Sequence, residues 1–357
     1  MGVMSGTSLD GIDVSIVKSD GNKLEDLNVN YTTNYDVELI SQIRKIIKSR
    51  TFNKEILKTL ENRITDSYIK ALEKIPTKFN GKIDYISVHG QTIYHSFKQK
   101  KTIQLINARK LSNYFKIPVI YDFRANDIKN GGHGAPLAPI YHQYLSRKLK
   151  LEEPSCFLNI GGIANISYIN DNEIIGFDVG PGNVLINDVM FNHTGLEFDR
   201  DGLIASKGKK NQNLINFFLN QNYFKKIFPK SADRNEFHYL LENKEFCTLN
   251  FFDQICTLTH FSVECVKLSL KLMPIKPKSI IICGGGQHNK ALIKFLRQQI
   301  NCKISLSKEI NLNGDYVEAN LIAFLGMRYL KKLPITFPNT TGILKALPGG
   351  KMIWPKE

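Results

Sequence analysis

Asp178 ends the apolar-rich run Glu173-Ile174-Ile175-Gly176-Phe177 and precedes Val179-Gly180-Pro181-Gly182-Asn183. That pattern carries a carboxylate past a strand end to the start of a helix predicted over 183–192, where the helix dipole favours the ionised form. An ionised carboxylate can take a proton from water or a sugar hydroxyl as that oxygen attacks. The competing reading is an aspartate that caps the following turn, and the local residues favour neither. A second cluster, Met4-Ser5-Gly6-Thr7-Ser8-Leu9-Asp10-Gly11-Ile12-Asp13, puts small hydroxyl residues and glycines between two strand-like runs. Bare amides and hydroxyls in such a turn can replace water around phosphate, while Asp10 or Asp13 can meet a phosphate-bound Mg²⁺ or a substrate hydroxyl. An ordinary hairpin turn uses the same residues.

Other residues with chemistry stand at predicted strand ends. Gly180 to Gly182 can offer backbone amides to phosphate or simply form a tight turn. Gly284-Gly285-Gly286 follows Ser279–Cys283 and can admit adenine and ribose close to the main chain. His89-Gly90-Gln91-Thr92 groups donors and acceptors suited to sugar hydroxyls or an acetamido group, although a satisfied turn histidine explains His89 equally. Arg124 can grip a carboxylate through two parallel hydrogen bonds or pair with Asp127. Glu318 opens a predicted helix over 317–329, as a second active-site carboxylate or as a first-turn charge. No GxxxxGK[ST], GxSxG or HExxH pattern occurs, which excludes a Walker-type nucleotide site and two hydrolase classes.

The elements that must position these residues repeat. Strand, glycine turn, strand, polar turn and strand follow one another from Met1, with Asp20-Gly21-Asn22 as the second turn. They recur from Phe157, through Gly161-Gly162 and Asp171-Asn172, to Asp178. The repetition predicts an α/β protein with a duplicated nucleotide-binding core and a cleft between the halves. Residues 36–75 carry helical spacing, as do 107–114, 138–149, 211–221 and 251–272. The run 130–136 reads as a flexible loop. In the helix over 317–329, Ala319, Ala323 and Gly326 suit close packing.

The 357 residues suffice for two full cores, and 42% apolar with 23% charged residues excludes a disordered chain. No apolar run approaches the roughly 20 residues of a membrane span, and no signal-peptide pattern opens the sequence. The expectation is a cytoplasmic protein without membrane attachment. The net charge of +15 is scattered in short groups such as Lys98–Lys101, without a basic tail, so nucleic acid is not an expected partner. Six cysteines without a CxxC pair are expected as buried free thiols, with no metal site among them.

Taken together, Met4–Asp13, His89–Thr92, Asp122–Leu137, Leu158–Ser167, Phe177–Asn183, Cys283–Gly286, Asn313–Ala319 and Pro338–Gly342 resemble the anhydro-N-acetylmuramic acid kinase family across essentially the whole chain. The resemblance implies the two-domain fold of sugar kinases, actin and heat-shock ATPases, with ribonuclease-H-like cores around a central cleft. The domains are expected at 1–124 plus 336–357 and at 125–335. It implies ATP and Mg²⁺ as cofactors and a bacterial homodimer serving peptidoglycan recycling. The implied reaction takes ATP, water and 1,6-anhydro-N-acetylmuramic acid to ADP and N-acetylmuramic acid 6-phosphate. Asp178 becomes the base. Gly6, Thr7, Ser8, Leu9, Asp10, Gly11, Ile12 and Asp13, with Gly161, Gly162, Gly180, Gly182 and Asn183, become the phosphate loops. Gly284, Gly285 and Gly286 become the adenosine motif, and Ser5, His89, Gln91, Arg124 and Glu318 the sugar contacts.

Three departures from the family pattern stand out. Val179 replaces a common threonine, Gln287-His288 follows the glycine triplet, and Ser231–Arg234 varies a KSTGR-like segment. The first strand is also shorter than the family's. Two alternatives remain: a kinase of the same superfamily acting on an ordinary amino sugar or carboxylate, and a regulatory ATP-binding protein. A general base contributes about 10²–10⁴-fold, so Asp178→Asn is expected to lower kcat by at least about 10²-fold in a coupled ADP-release assay. Wild-type turnover in that variant would remove Asp178 from the chemistry.

Overall fold

Alternation of apolar and polar residues between glycine-bearing turns produces thirteen strands among the described residues: β1 Gly2–Met4, β2 Ile12–Ser19, β3 Leu24–Thr33, β4 Ile86–Val88, β5 Gln91–Ser96, β6 Lys101–Leu105, β7 Val119–Tyr121, β8 Ser155–Ile160, β9 Ile163–Asn170, β10 Glu173–Pro181, β11 Ser279–Cys283, β12 Lys303–Leu306 and β13 Lys351–Ile353. The structure, a computed structural model, describes residues 1–357 except Thr7, Ser8, Asp10, Asn80, Lys98, Asp233, Asn311, Asn313 and Glu357. Of Arg234, Asn235 and Asp315 it describes the backbone. The chain divides into two units, 1–141 with 315–357, and 142–314.

The first unit's sheet runs β13-β7-β4-β1-β2-β3. Strands β1, β2 and β3 form an antiparallel meander, and β4 and β7 add in parallel on the other side of β1. The second unit's sheet runs β10-β9-β8-β11-β12, with the same meander and the same two parallel additions. Setting aside β13 and the separate β5–β6 hairpin, both sheets have the order third-second-first-fourth-fifth with identical strand directions. This is the ribonuclease-H-like order, and its duplication in one α/β chain is the architecture of the actin-like ATPases and sugar kinases. Each unit has its own apolar core, around Ile12, Ile43, Tyr68 and Val88 in the first and around Leu158, Phe177, Phe218, Phe261 and Ile280 in the second.

The unit boundaries differ from the expected 1–124 plus 336–357. Helix Val317–Leu330 lies on the first sheet, and its position explains why the chain rejoins the first unit at 315 rather than 336. A methyl group at Gly2 would lie 2.0 Å from the Ala319 carbonyl oxygen and 2.7 Å from the Ala323 nitrogen, so helix and strand meet backbone to backbone. At the other end, a methyl at Gly326 would meet Ser87 Oγ at 2.6 Å. Ser87 donates to the Ile322 carbonyl at 2.6 Å, Tyr85 donates to that of Ala323 at 3.2 Å, and Ser15 bonds Asn320.

The continuous helical spacing over 36–75 resolves into two helices, Val37–Ser49 and Lys54–Leu72. Arg50 turns left-handed at the end of the first, and the Asn53 side chain caps the second by accepting from the Glu55 and Ile56 amides. The run 130–136 is fastened rather than loose. Gly132 N–H donates to the Asp127 carbonyl, Gly134 N–H to Asp127 Oδ1 at 2.6 Å, and His133 N–H to the Thr341 carbonyl at 2.7 Å. All six cysteines are free, and four are buried; Cys247, on the short helix Lys244–Thr248, is exposed and Cys302 half-buried, against the expectation for both. Among the described residues no helix is long and apolar enough to cross a membrane. Overpacking typically costs about 1–3 kcal/mol, so Gly2→Ala is expected to lose at least that much, read as a lower midpoint in urea unfolding.

Candidate active site

In the second unit the site is built on a sheet edge. Strand β10 is the outer strand, and its pairing with β9 slips between Asp178 and Gly180, which are matched to Asn165 and Ala164. A bulge at a strand end re-aims the side chain beside it, and here that side chain is Asp178. Its outer edge is covered by a later segment: Asp178 N–H donates to the Lys230 carbonyl at 3.0 Å, and Ala232 N–H donates to Asp178 Oδ2 at 2.9 Å. Tyr223 O–H donates to the Asp178 carbonyl at 2.6 Å. The main chain of Asp178 is thus held at both its N–H and its C=O, while its carboxylate is oriented by an amide from a segment 54 residues away.

The glycine turns beside Asp178 divide their tasks. Gly182 N–H and Val184 N–H donate to the Gly162 carbonyl at 2.9 and 3.1 Å, and Asn183 N–H donates to that of Gly161 at 2.8 Å. A methyl at Gly182 would meet the Gly161 oxygen at 2.4 Å. The amides leading into helix Val184–Thr194 therefore lock the two turns together, and Gly180 and Gly182 are buried while Gly162 is exposed. In the triplet after β11, added methyls at Gly284 and Gly286 would meet Asn159 Oδ1 at 2.2 Å and Ile160 Cγ2 at 2.5 Å. Gly285 faces open space. Packing explains two of the three glycines, and Gly285 alone presents a bare, accessible main chain.

In the first unit, Arg124 donates from Nε to His89 Nε2 at 3.0 Å and from Nη1 to the Gly134 carbonyl at 2.7 Å. Because His89 Nε2 accepts, its proton sits on Nδ1, which donates to the Gly90 carbonyl at 2.9 Å. Burial, then the Arg124 charge, pushes the His89 pKa down to about 3, so the ring is neutral at physiological pH. Asp127, the alternative partner for Arg124, gives its carboxylate to Gly134 N–H and to the Thr341 hydroxyl. Ser5 and Gln91, expected as sugar contacts, are buried. Ser5 bonds Tyr68 O–H at 2.7 Å, and Gln91 Nε2 donates to the Gly6 carbonyl at 3.2 Å.

Asp13 projects from β2 and accepts from the Thr32 hydroxyl at 2.6 Å. The Glu318 side chain is exposed, yet protein crowding around its carboxyl raises the pKa, the Asp13 charge raises it further, and Arg124 pulls it back. Asp13, Glu318 and Arg124 therefore share one electrostatic neighbourhood within this unit. Thr7, Ser8 and Asp10 of the same loop lie outside the described residues. Among the described residues no group of three or more histidine, cysteine or acidic side chains gathers as a metal centre.

The family profile of anhydro-N-acetylmuramic acid kinase matches residues 1–355. The chain belongs to that family. Curated anhydro-N-acetylmuramic acid kinases from Zymomonas mobilis and Methylobacterium nodulans are each 36% identical to it, covering 99% and 98% of this chain and 98% of their own lengths. One from Rhodopseudomonas palustris is 34% identical over 99% of both chains.

Within the kinase, departures from the family pattern acquire physical explanations. Val179 lies in the apolar core, 1% exposed, so a residue there contributes packing. Gln287 is turned inward, where Ser307 O–H donates to its Oε1 at 2.7 Å; His288 is exposed. Thr341, in the segment Pro338–Gly342, serves the 130–136 loop through Asp127 and His133. Tyr223, in the 3₁₀ turn Asn222–Lys225, and Lys230, in irregular chain, carry no period that would mark them.

His89 also makes a stability statement. Its folded pKa lies below the ordinary 6.5, so between 6.5 and about 3 the unfolded chain binds the extra proton and stability falls as pH falls. The loss attributable to His89 is on the order of 2 kcal/mol at about pH 5. Urea unfolding of wild type at pH 7 and pH 5 is expected to show that drop, and His89→Gln to lessen it. An equal drop in both would assign the acid lability to other groups.

Proposed function

We propose that this kinase opens the 1,6-anhydro bridge of 1,6-anhydro-N-acetylmuramic acid with water and transfers the γ-phosphoryl group of ATP to the released O6. A 1,6-anhydro sugar has no free O6, so ring opening must accompany transfer. Asp178 takes a proton from water as the water oxygen bonds to C1; the C1–O6 bond breaks, O6 bonds to the γ-phosphorus, and ADP leaves. The observation that carries this reading is the placement of Asp178 at a bulged strand end, with its carboxylate oriented by Ala232 N–H and its main chain fixed on both sides. Capture of the leaving oxygen by phosphorus removes most of the need for a separate acid. Positioning and charge neutralisation then supply the rest of the catalysis.

The remaining assignments follow from chemistry. Arg124, oriented by neutral His89 and the Gly134 carbonyl, is the partner for the lactyl carboxylate, with Glu318 positioning water or sugar. His89 and Gln91 act beneath the site by holding Arg124 and Gly6, and Ser5 by its bond to Tyr68. The exposed Gly161-Gly162 turn and the Gly6–Asp13 loop are assigned to the phosphates, with Gly180, Gly182 and Asn183 supporting the former, and Gly285 to adenosine between its packing neighbours Gly284 and Gly286. Asp13 and Glu318, two oxygen-donor groups in one neighbourhood, fit a hard cation, and Mg²⁺ there would neutralise triphosphate charge. A cytoplasmic homodimer in bacterial cell-wall recycling completes the reading.

The test is mass spectrometry of the product formed from the anhydro sugar, MgATP and ¹⁸O-labelled water. One ¹⁸O at the anomeric carbon of a 6-phosphorylated sugar is the expected result. An untouched anhydro sugar, with ordinary amino sugars phosphorylated instead, would replace this function with that of a simple sugar kinase.

A further inference from the structure

Lys230 is 4% exposed, an unusual burial for a lysine. Its ammonium lies 4.9 Å from the ring centre of Tyr223 and 5.4 Å from that of Phe177, distances at which aromatic faces attract a cation. Both rings adjoin Asp178: Phe177 precedes it in β10, and the Tyr223 hydroxyl donates to its carbonyl. The Lys230 carbonyl accepts from Asp178 N–H, and two residues on, Ala232 N–H reaches the Asp178 carboxylate. The links to Asp178 from Tyr223, Lys230 and Ala232 thus surround the position where the cation is caged.

Among the described residues, the titratable groups acting on this ammonium are Cys265, Asp178 and Lys226; Glu236 acts on Tyr223 next to it. Burial pushes the Cys265 pKa up, so it remains a thiol. Asp178 is then the anion among these groups that acts on the cation. Burial lowers the Lys230 pKa to about 8, with the Asp178 charge opposing the shift and Lys226 adding to it.

We propose that Lys230 is a positioning residue for Asp178, its caged ammonium pinning the 223–232 segment that holds the base in place. The inference rests on Asp178 being the base. Steady-state kinetics with the anhydro sugar and MgATP test it. Lys230→Met, which keeps the stem and removes the charge, is expected to lower kcat at least about tenfold with both KM values within about twofold. Lys230→Arg is expected to recover part of the loss. Wild-type kcat is expected to fall above about pH 8, and Lys230→Arg, whose charge persists, to lack that limb. Wild-type kcat in Lys230→Met, or the same alkaline limb in Lys230→Arg, would overturn the proposal.

If Lys230→Met fails to fold, Tyr223→Phe decides, since it deletes the hydroxyl on the Asp178 carbonyl and little else. A severalfold loss of kcat supports the proposal, and wild-type kcat overturns it. Asp178→Asn separates the two claims. Loss of turnover there alongside a fully active Lys230→Met refutes the positioning role alone, whereas a fully active Asp178→Asn removes the base and this inference with it.

Discussion

The first unit depends on a contact with no side chain on one side of it. Gly2 lets helix Val317–Leu330 come down on β1 until carbonyl and α-carbon nearly touch, with Ala319 and Ala323 opposite and Gly326 repeating the arrangement over Ser87. Such proximity leaves little room to slide or roll, because interiors are packed as tightly as organic crystals. The hydroxyls of Ser87 and Tyr85 then fix the helix by bonding carbonyls along it. Glu318 is one residue from its start, so the placement of that carboxyl beside Asp13 and Arg124 is inherited from the packing of small residues.

At the site in both units, polar groups are held by burial and hydrogen bonds, the condition under which a buried polar network stabilises one geometry. Arg124 illustrates this: the neutral imidazole of His89 accepts from it where a protonated ring would repel it, and burial keeps the ring neutral. At Asp178 the main chain takes a large share of the holding, through Lys230 C=O and Ala232 N–H. An amide neither titrates nor changes rotamer, so the carboxylate keeps its aim.

Much of this was legible in the sequence because strands alternate and glycine marks tight turns. The meander ending at Gly161-Gly162 and Asp178, its echo from Met1, and the small face of the helix over 317–329 follow from period and residue size alone. What could not be read depends on contacts distant in the chain. That Gly182, Asn183 and Val184 spend their amides on Gly161 and Gly162 follows from two turns meeting, which neither turn announces. The β5–β6 hairpin was concealed by its connection, where Lys98 to Lys101 looked like a solvated cluster of charge. Lys230 was unreadable for the same reason: its meaning lies in two rings, one of them 53 residues earlier.

The second unit is inserted whole into the first, since the chain leaves at 141 and returns at 315. During synthesis, domains tend to form as their residues emerge. The inserted unit is continuous and can close once residue 314 is clear of the ribosome. The opening strands, made first, must wait with their glycine-lined face uncovered until Val317–Leu330 follows. The first part to be made is therefore the last to be finished, and a ribosome that stalls before residue 317 releases a chain whose earliest sheet is still exposed and prone to aggregate.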